Sequence, residues 1–154
     1  MKYPITREGY ESLKKDLEFL RNTKRPKILL AIEEARAHGD ISENAEYEAA
    51  KEEYQFIQKK IAEFEEMLGQ SEVVEVRKRA NGKVEFGCVI SLKNLDTDEE
   101  VAYTLVGPYE SDIEKGKIAM SSPLGRALLY KEVGDEVSFS APGGERTYEI
   151  IKIS

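Results

Sequence analysis

A run of apolar residues at alternating steps of three and four constrains this chain more than any other feature. The run consists of Tyr47, Ala50, Tyr54, Ile57, Ile61, Phe64 and Leu68. Glu and Lys fill most of the positions between them, so one narrow stripe of a helix is apolar and the rest is charged. A heptad stripe of this kind needs a partner helix, because a single helix has nothing against which to bury it.

The partner helix is predicted to lie immediately before it in the chain. The same spacing recurs in Tyr10, Leu13, Leu17 and Leu20, and again in Ile28, Ala31 and Ala35. Thr6 can cap the start of this helix and Gly39 can end it, whereas Pro26 is expected to kink or locally break it. Residues 1–71 are therefore predicted to form an antiparallel coiled-coil hairpin, with its tip at residues 38–44.

Beyond Gly69 the apolar period changes to two, which is typical of strands. The predicted strands cover residues 72–76, 84–92, 101–106, 117–120, 136–140 and 146–153. Ser122 can cap a short helix that begins at Pro123. Residues 72–154 are therefore predicted to form a small antiparallel sheet with one short helix, which makes the chain an α+β protein of two domains.

Charge and cysteine content restrict the classes of partner. The net charge of −7 argues against nucleic-acid binding through overall charge, so any such contact needs a local basic patch. The single cysteine, Cys88, lies in an apolar run, which predicts buried packing and excludes an intramolecular disulfide. The sequence has no stretch of about 18 apolar residues, and we expect a cytoplasmic monomer with no membrane partner.

Two carboxylates, Asp40 and Glu43, occupy the predicted tip. Their spacing also fits a capping box at the start of the second helix, and from the residues alone this interpretation is favoured over a metal or catalytic one. Two carboxylates are too few for a private Mg²⁺ site, which needs about six oxygen ligands. A metal held at the tip would therefore take its other ligands from a partner molecule.

Cations lie on either side of the tip. Arg36 precedes it and Lys51 follows it, and across an antiparallel hairpin they can flank the acidic pair, where a phosphate-bearing chain can rest. The simpler interpretation is that such charges only solvate the helix surface. The lone histidine, His38, is better interpreted as a helix cap than as a metal ligand.

The segment ARAHGDISENAEY, residues 35–47, resembles the tip of the bacterial Gre transcript-cleavage factors, in particular the GreA type. Segments of the second half are similar to the same family and follow in the same order: residues 94–96, 106–107, 122–128, 134–135 and 142–144. The resemblance covers essentially the whole chain. It implies an N-terminal coiled-coil hairpin followed by an FKBP-like domain.

The resemblance also implies a partner and a role. Gre factors bind backtracked bacterial RNA polymerase, insert the hairpin into its secondary channel and stimulate the polymerase's own hydrolysis of the RNA 3′ end. By this resemblance Asp40 and Glu43 complete the polymerase active site, with Asp40 as a ligand of a second Mg²⁺. The isolated protein is then expected to have no cofactor and no nuclease activity.

Further residues match the family positions that contact RNA or polymerase. The resemblance assigns Arg36 and Lys51 to a basic patch that contacts the backtracked RNA. It assigns Ser122, Pro123 and Arg126 to the segment that faces the rim of the polymerase channel. From the residues alone, the latter three are equally well explained as a capped helix packed on a sheet.

Other functions stay open at this stage. Some Gre-like proteins with altered acidic tips inhibit transcription, and the intact Asp40–Glu43 pair argues against that role. A prolyl isomerase would fit an FKBP-like domain, but the chain has no Trp and the aromatics of its second half are scattered along the sequence. A plain coiled-coil adaptor, whose tip is only a helix cap, is the third alternative.

Overall fold

The computed structural model describes residues 2–37, 45–75 and 82–154. The chain divides into two compact units, one formed by Tyr10–Gln70 and the other by Met1–Gly9 together with Ser71–Ser154. The first is a helical hairpin and the second contains a sheet with a short helix, so the predicted α+β fold class is confirmed.

Three α-helices build the hairpin: α1 (Arg7–Phe19), α2 (Arg25–Ala37) and α3 (Ala45–Gly69). Its buried centre consists of Leu17, Ile57 and Ile61, with Leu20, Ile28, Phe64 and Leu68 packed around them. All seven belong to the apolar stripes that the spacing predicted. Burying a side chain of this size stabilises a fold by about 1.5–3 kcal/mol, so this seam is the main attraction between the helices.

The interruption predicted at Pro26 takes the form of a π-helical segment, Leu20–Lys24, between α1 and α2. The Arg25 N–H donates to the Leu20 carbonyl, five residues back instead of four. A proline ring in a regular α-helix clashes with the carbonyl four residues before it. The wider π turn lies directly before Pro26, so the chain stays helical through the proline.

The first residues of the chain belong with the sheet. Strand β1 (Tyr3–Ile5) pairs in parallel with β2 (Ser71–Val73), which places Met1–Gly9 in the same unit as Ser71–Ser154. The predicted division assigned all of residues 1–71 to the hairpin, and the structure differs there. A strand of three residues is too short to show a period of its own in the sequence.

The main sheet has the strand order β5–β4–β3–β7–β6. Its strands are β3 (Val89–Asn94), β4 (Glu100–Val106), β5 (Lys117–Ala119), β6 (Glu136–Ala141) and β7 (Gly144–Ile153). Neighbouring strands are antiparallel except β4 and β5, which are parallel. The sequence predicted a small antiparallel sheet, and the structure differs from it at this edge. The connection over residues 107–116 crosses back, so that β5 runs beside β4 in the same direction.

Helix α4 (Pro123–Leu128) covers one face of this sheet. The core between them contains Val84, Cys88, Ile90, Leu92, Leu105, Ile118, Leu124, Leu128, Val137, Tyr148 and Ile150. Cys88 is buried, as its apolar neighbours predicted. Gly125 allows α4 to approach β5 closely, since a Cβ at this position would overlap the Ala119 carbonyl.

Within the described ranges, no helix is both long enough and apolar enough to cross a membrane.

Candidate functional site

Helices α2 and α3 lie on either side of the predicted acidic site in the chain. Helix α2 ends at Ala37 and α3 begins at Ala45. Asp40 and Glu43 both belong to residues 38–44, which lie outside the described residues. The helix ends therefore establish where the pair falls in the chain, in the connection between α2 and α3.

Small buried side chains lie near both of these helix ends. Ala35 is the buried residue of α2, and Ala50 is the first buried residue of α3. Between them and the connection, Ala37 and Ala45 are exposed. Ala35 and Ala50 are therefore the fully buried residues nearest the connection in the described part of the hairpin, and Tyr47 beyond Ala50 is half-buried.

Arg36 and Lys51 follow these alanines directly. Arg36 is exposed, and Lys51 is half-buried with its Nζ 5.2 Å from the centre of the Tyr47 ring. Tyr47 lies one helical turn nearer the connection, so this cation–π contact holds the Lys51 ammonium toward that end of α3. The two predicted RNA-contacting residues thus lie directly beside the two buried alanines.

Cations further from the connection have structural partners. Arg21 forms an ion pair with Glu65 at 2.7 Å, and Arg25 donates to the Gln58 side-chain oxygen at 3.0 Å. Both interactions join opposite helices of the hairpin. Among the described residues, by contrast, Arg36 has no carboxylate within ion-pair distance. Arg21 and Arg25 thus bridge the helices of the hairpin, whereas Arg36 has no such bridge among the described residues.

The described ranges contain no group of three or more His, Cys, Asp or Glu side chains arranged to hold a metal ion. The predicted ligand Asp40 lies outside these ranges. Its carboxylate oxygen is the donor type that Mg²⁺ prefers, but two carboxylates cannot supply about six ligands. The donor set thus fits a Mg²⁺ ion only as one that is shared with another molecule.

The second predicted site lies at the start of α4. The Ser122 hydroxyl accepts from the Gly125 N–H at 3.0 Å and donates to the Ala119 carbonyl at 2.7 Å, so it serves as the helix cap. Pro123 occupies the first turn and Arg126 the last, and both side chains are exposed. The structure therefore gives Ser122 a positioning role and leaves Pro123 and Arg126 as surface groups.

An open groove of about 310 Å³ lies beside α4. It is lined by Arg126, Ala127, Lys131, Glu136, Val137 and Ser138. In the part of the chain that the structure describes, neither Arg126 nor Lys131 has a carboxylate within ion-pair distance. The groove thus presents two cations that have no ion-pair partner in the described ranges.

Sequence reasoning missed Glu110. Its carboxylate accepts from the Thr6 N–H at 2.7 Å and from the Thr6 hydroxyl at 2.6 Å. The same hydroxyl accepts from the Gly9 N–H at 3.0 Å, which confirms Thr6 as the cap of α1. Glu110 and Thr6 are 104 residues apart, and no local pattern links them.

The aromatic residues of the sheet are less scattered than the sequence suggested. The rings of Phe139 and Tyr148 stack with centroids 5.7 Å apart. Partial burial raises the pKa of Tyr103 above its usual value of 10.0, Tyr148 raises this pKa further, and Arg146 lowers it. Tyr148 is buried in the core, and Phe139 and Tyr103 pack against this core, so the three aromatic residues contribute to the packing of the sheet.

Family models match both units of the chain. The model for the N-terminal part of transcription elongation factors matches residues 3–73. The model for the C-terminal part of the GreA/GreB transcription elongation factors matches residues 79–154. The first match covers the helical hairpin and the second covers the sheet unit. Together they define the chain as a transcription elongation factor. The chain belongs to the GreA/GreB family, as its tip segment and later motifs predicted.

Individual relatives match over nearly the full length. The chain is 46% identical over 150 residues to transcription elongation factor GreA of Hyphomonas neptunium, a match that covers 97% of this chain and 96% of the relative. It is 47% identical over 152 residues to the GreA of a Chelativorans species, covering 99% and 97%. A solved structure, the crystal structure of GreA factor homolog 1 of Thermus thermophilus, matches with 28% sequence identity and a TM-score of 0.44. The match covers 100% of this chain and 99% of that one.

Proposed function

We propose that this protein binds backtracked bacterial RNA polymerase through the secondary channel and stimulates the polymerase's own hydrolysis of the RNA 3′ end. Arrested complexes are thereby released. The observation that carries the proposal is the position of Asp40 and Glu43 between Ala37 and Ala45, the facing ends of two packed helices, in a member of the GreA/GreB family. Both carboxylates thus fall in the connection between α2 and α3, and in GreA/GreB factors this connection is the tip of the hairpin.

Asp40 contributes a carboxylate oxygen to a second Mg²⁺ in the polymerase active centre. Glu43, three residues on, helps to hold this ion or orients the attacking water. When bound, Mg²⁺ acidifies a water ligand and neutralises charge on the phosphate that is cleaved. The two carboxylates alone cannot complete the ion's ligands, which explains why the protein acts only together with the polymerase.

Arg36 and Lys51 contact the backtracked RNA. Both are cations next to the last buried layer of the hairpin, and Arg36 has no ion-pair partner among the described residues. Phosphate contacts of this type position a strand without reading its sequence. These two side chains therefore keep the RNA 3′ end near the acidic pair whatever its bases are.

The surface of α4 docks at the rim of the channel. Pro123 and Arg126 supply the exposed groups, and Ser122 supports them by capping the helix. The protein is a cytoplasmic monomer without nuclease activity of its own, since cleavage needs the first metal ion and the RNA-binding site of the polymerase.

Transcript shortening in a stalled, backtracked elongation complex tests this proposal. With Mg²⁺ present, the protein should accelerate release of short fragments from the RNA 3′ end and restore elongation. The same RNA incubated with the protein but without polymerase should stay intact. A protein that slows elongation and leaves cleavage unchanged would instead be a channel-occupying inhibitor, and the proposal would be wrong.

A further inference from the structure

Tyr130 has a backbone conformation that an aromatic residue rarely adopts. Leu129 has φ −57° and ψ 129°, and Tyr130 has φ 65°. The Lys131 N–H donates to the Leu128 carbonyl at 3.0 Å. These angles and this hydrogen bond correspond to a type II turn, whose third residue needs a positive φ and is usually Gly or Asn. A tyrosine there is strained, because its Cβ crowds the backbone.

Backbone hydrogen bonds hold this turn in place. The Tyr130 N–H donates to the Val84 carbonyl at 2.8 Å, and the Val84 N–H donates to the Lys131 carbonyl at 2.9 Å. Val84 itself is completely buried in the core. Because these hydrogen bonds fix both sides of the turn, Tyr130 keeps its positive φ. The residue is nevertheless 64% exposed to solvent.

The residues near Tyr130 in the chain are of types that are common in protein-binding sites. Lys131 is its neighbour in the chain, and Lys131 and Arg126 line one groove without a carboxylate partner among the described residues. Val133, three residues on, is 57% exposed. Tyr and Arg are among the residue types that contribute most to binding energy at protein interfaces. Persistent strain at an exposed aromatic residue is typical of functional positions.

We propose that Tyr130, Arg126 and Lys131 form an anchor that docks on an acidic surface segment of RNA polymerase. The proposal rests on the proposed function for its partner and adds Tyr130, Lys131 and the sign of the partner's charge. In the groove, two cations stand against one carboxylate, Glu136, so its local charge is positive although the whole chain carries −7. An acidic segment of the partner is attracted by the positive groove and repelled by much of the remaining, negatively charged surface. This difference in electrostatic energy orients the two proteins when they bind.

The substitution Tyr130→Gly separates docking from folding, because the two properties should change in opposite directions. Glycine adopts a positive φ without strain, so the variant should melt about 2–6 °C higher than the wild type. Loss of the aromatic anchor should weaken binding to RNA polymerase by about tenfold. Tyr130→Phe keeps most of the contact area and should bind within about threefold of the wild type.

A matched control is Asp98→Gly. Asp98 also has a positive φ, 62°, and lies in the exposed turn between β3 and β4, outside the groove. This variant relieves the same type of strain and should bind polymerase with unchanged affinity. Lys131→Glu should weaken binding and reduce its salt dependence, because it reverses one of the two groove cations.

The experiment is equilibrium binding of the labelled full chain and these variants to purified bacterial RNA polymerase at two salt concentrations, with thermal melting in parallel. Higher melting together with weaker binding for Tyr130→Gly supports the anchor. Equal affinity of Tyr130→Gly and the wild type overturns it and leaves the proposed function intact. If the wild type itself does not bind polymerase, both fail. If Tyr130→Gly loses affinity for a single-stranded RNA oligonucleotide but not for polymerase, the partner is nucleic acid and the proposal is wrong.

Discussion

The Glu110 carboxylate accepts hydrogen bonds from both the backbone N–H and the hydroxyl of Thr6, at 2.7 and 2.6 Å. Thr6 caps α1, and the same hydroxyl accepts from the Gly9 N–H. Glu110 also accepts from the Gly107 N–H at 3.4 Å, so one side chain joins the loop after β4 to the start of the first helix. The first turn of α1 is therefore fixed by tertiary contacts as well as by its own cap.

This double hydrogen bond predicts that Thr6 and Glu110 are energetically coupled. Thr6→Ala should lower the free energy of unfolding by about 1–3 kcal/mol, because it removes a helix cap and leaves a carboxylate oxygen without its donor. In a double-mutant cycle with Glu110→Ala, the two losses should differ from additivity by about 1 kcal/mol or more. Denaturant unfolding measures both quantities, and Glu114→Gln, an exposed acid of the same connection, serves as the control. Strictly additive losses would show that the two residues do not act together.

Two neighbouring residues of α3 distinguish the seam from the surface of the hairpin. Ile57 is 1% exposed, whereas Phe56 is 58% exposed. Ile57→Ala should destabilise the hairpin by about 2–5 kcal/mol, since it leaves a cavity in the seam. Phe56→Ala should change stability by no more than about 0.5 kcal/mol. Helix content followed during denaturant unfolding measures the difference. Equal effects of the two substitutions would mean that the seam is wrongly assigned.

Tyr103 predicts a loss of stability in alkaline solution. Burial, followed by the influence of Tyr148, raises the pKa of its phenol in the folded state above the unfolded value of about 10. Above that pH the unfolded chain releases the proton more readily than the folded chain does. The contribution of Tyr103 is therefore fully present below about pH 10 and is lost as the pH rises through the folded pKa.

The measurement is the free energy of unfolding between pH 8 and about 11 for the wild type and Tyr103→Phe. Lysines also titrate in this range, so the difference between the two proteins is the informative quantity. The wild type should lose stability relative to Tyr103→Phe as the pH rises. Parallel pH profiles would exclude a raised pKa at this residue.

The basic residues of the hairpin should divide into two classes. Lys51→Ala and Arg36→Ala should each lower cleavage stimulation by about tenfold at subsaturating protein and leave the melting temperature nearly unchanged, because neither has an ion-pair partner in the described chain. Arg21→Ala should instead reduce stability slightly, by no more than about 1 kcal/mol, and spare stimulation at saturating protein, since its partner is Glu65. Transcript-cleavage rates across a range of factor concentrations test this. A large loss of stimulation for Arg21→Ala, with none for Lys51→Ala, would reverse the assignment.

The heptad spacing of residues such as Ile57 and Leu17 predicted the hairpin correctly because one helix presents one apolar stripe over its whole length. Cys88 and the capped helix at Ser122 were also predictable, since each depends on immediate sequence neighbours. Strand β1 and the parallel pairing of β4 with β5 could not be predicted, because short strands acquire their direction from long-range pairing. Glu110 and the strained turn at Tyr130 depend on partners far along the chain, so no local pattern shows them.

Some features of the candidate site could likewise be predicted from the sequence, and others could not. The position of Asp40 and Glu43 between two heptad helices follows from periodicity, and their proposed role follows from the motif around them. The contacts of Arg21 and Arg25 across the hairpin, and the lack of such a contact for Arg36 among the described residues, could be seen only in the structure. The sequence around a charged helix residue does not show which helix lies opposite or which side chain there forms an ion pair with it.

Asp40 is proposed to act inside the polymerase active centre, and a comparison of cleavage rates decides whether it does. The rate of 3′-end cleavage is measured in a backtracked elongation complex with Mg²⁺ and saturating wild type, Asp40→Asn or Glu34→Gln, an exposed acid of α2 that serves as the matched control. All three should melt alike and compete equally for polymerase. Asp40→Asn should lose about a hundredfold or more of the acceleration, the range seen when a group that acts only in the transition state is removed, whereas Glu34→Gln should retain it. Full acceleration by Asp40→Asn would contradict a role for Asp40 in the active centre and leave the acidic pair as a helix cap.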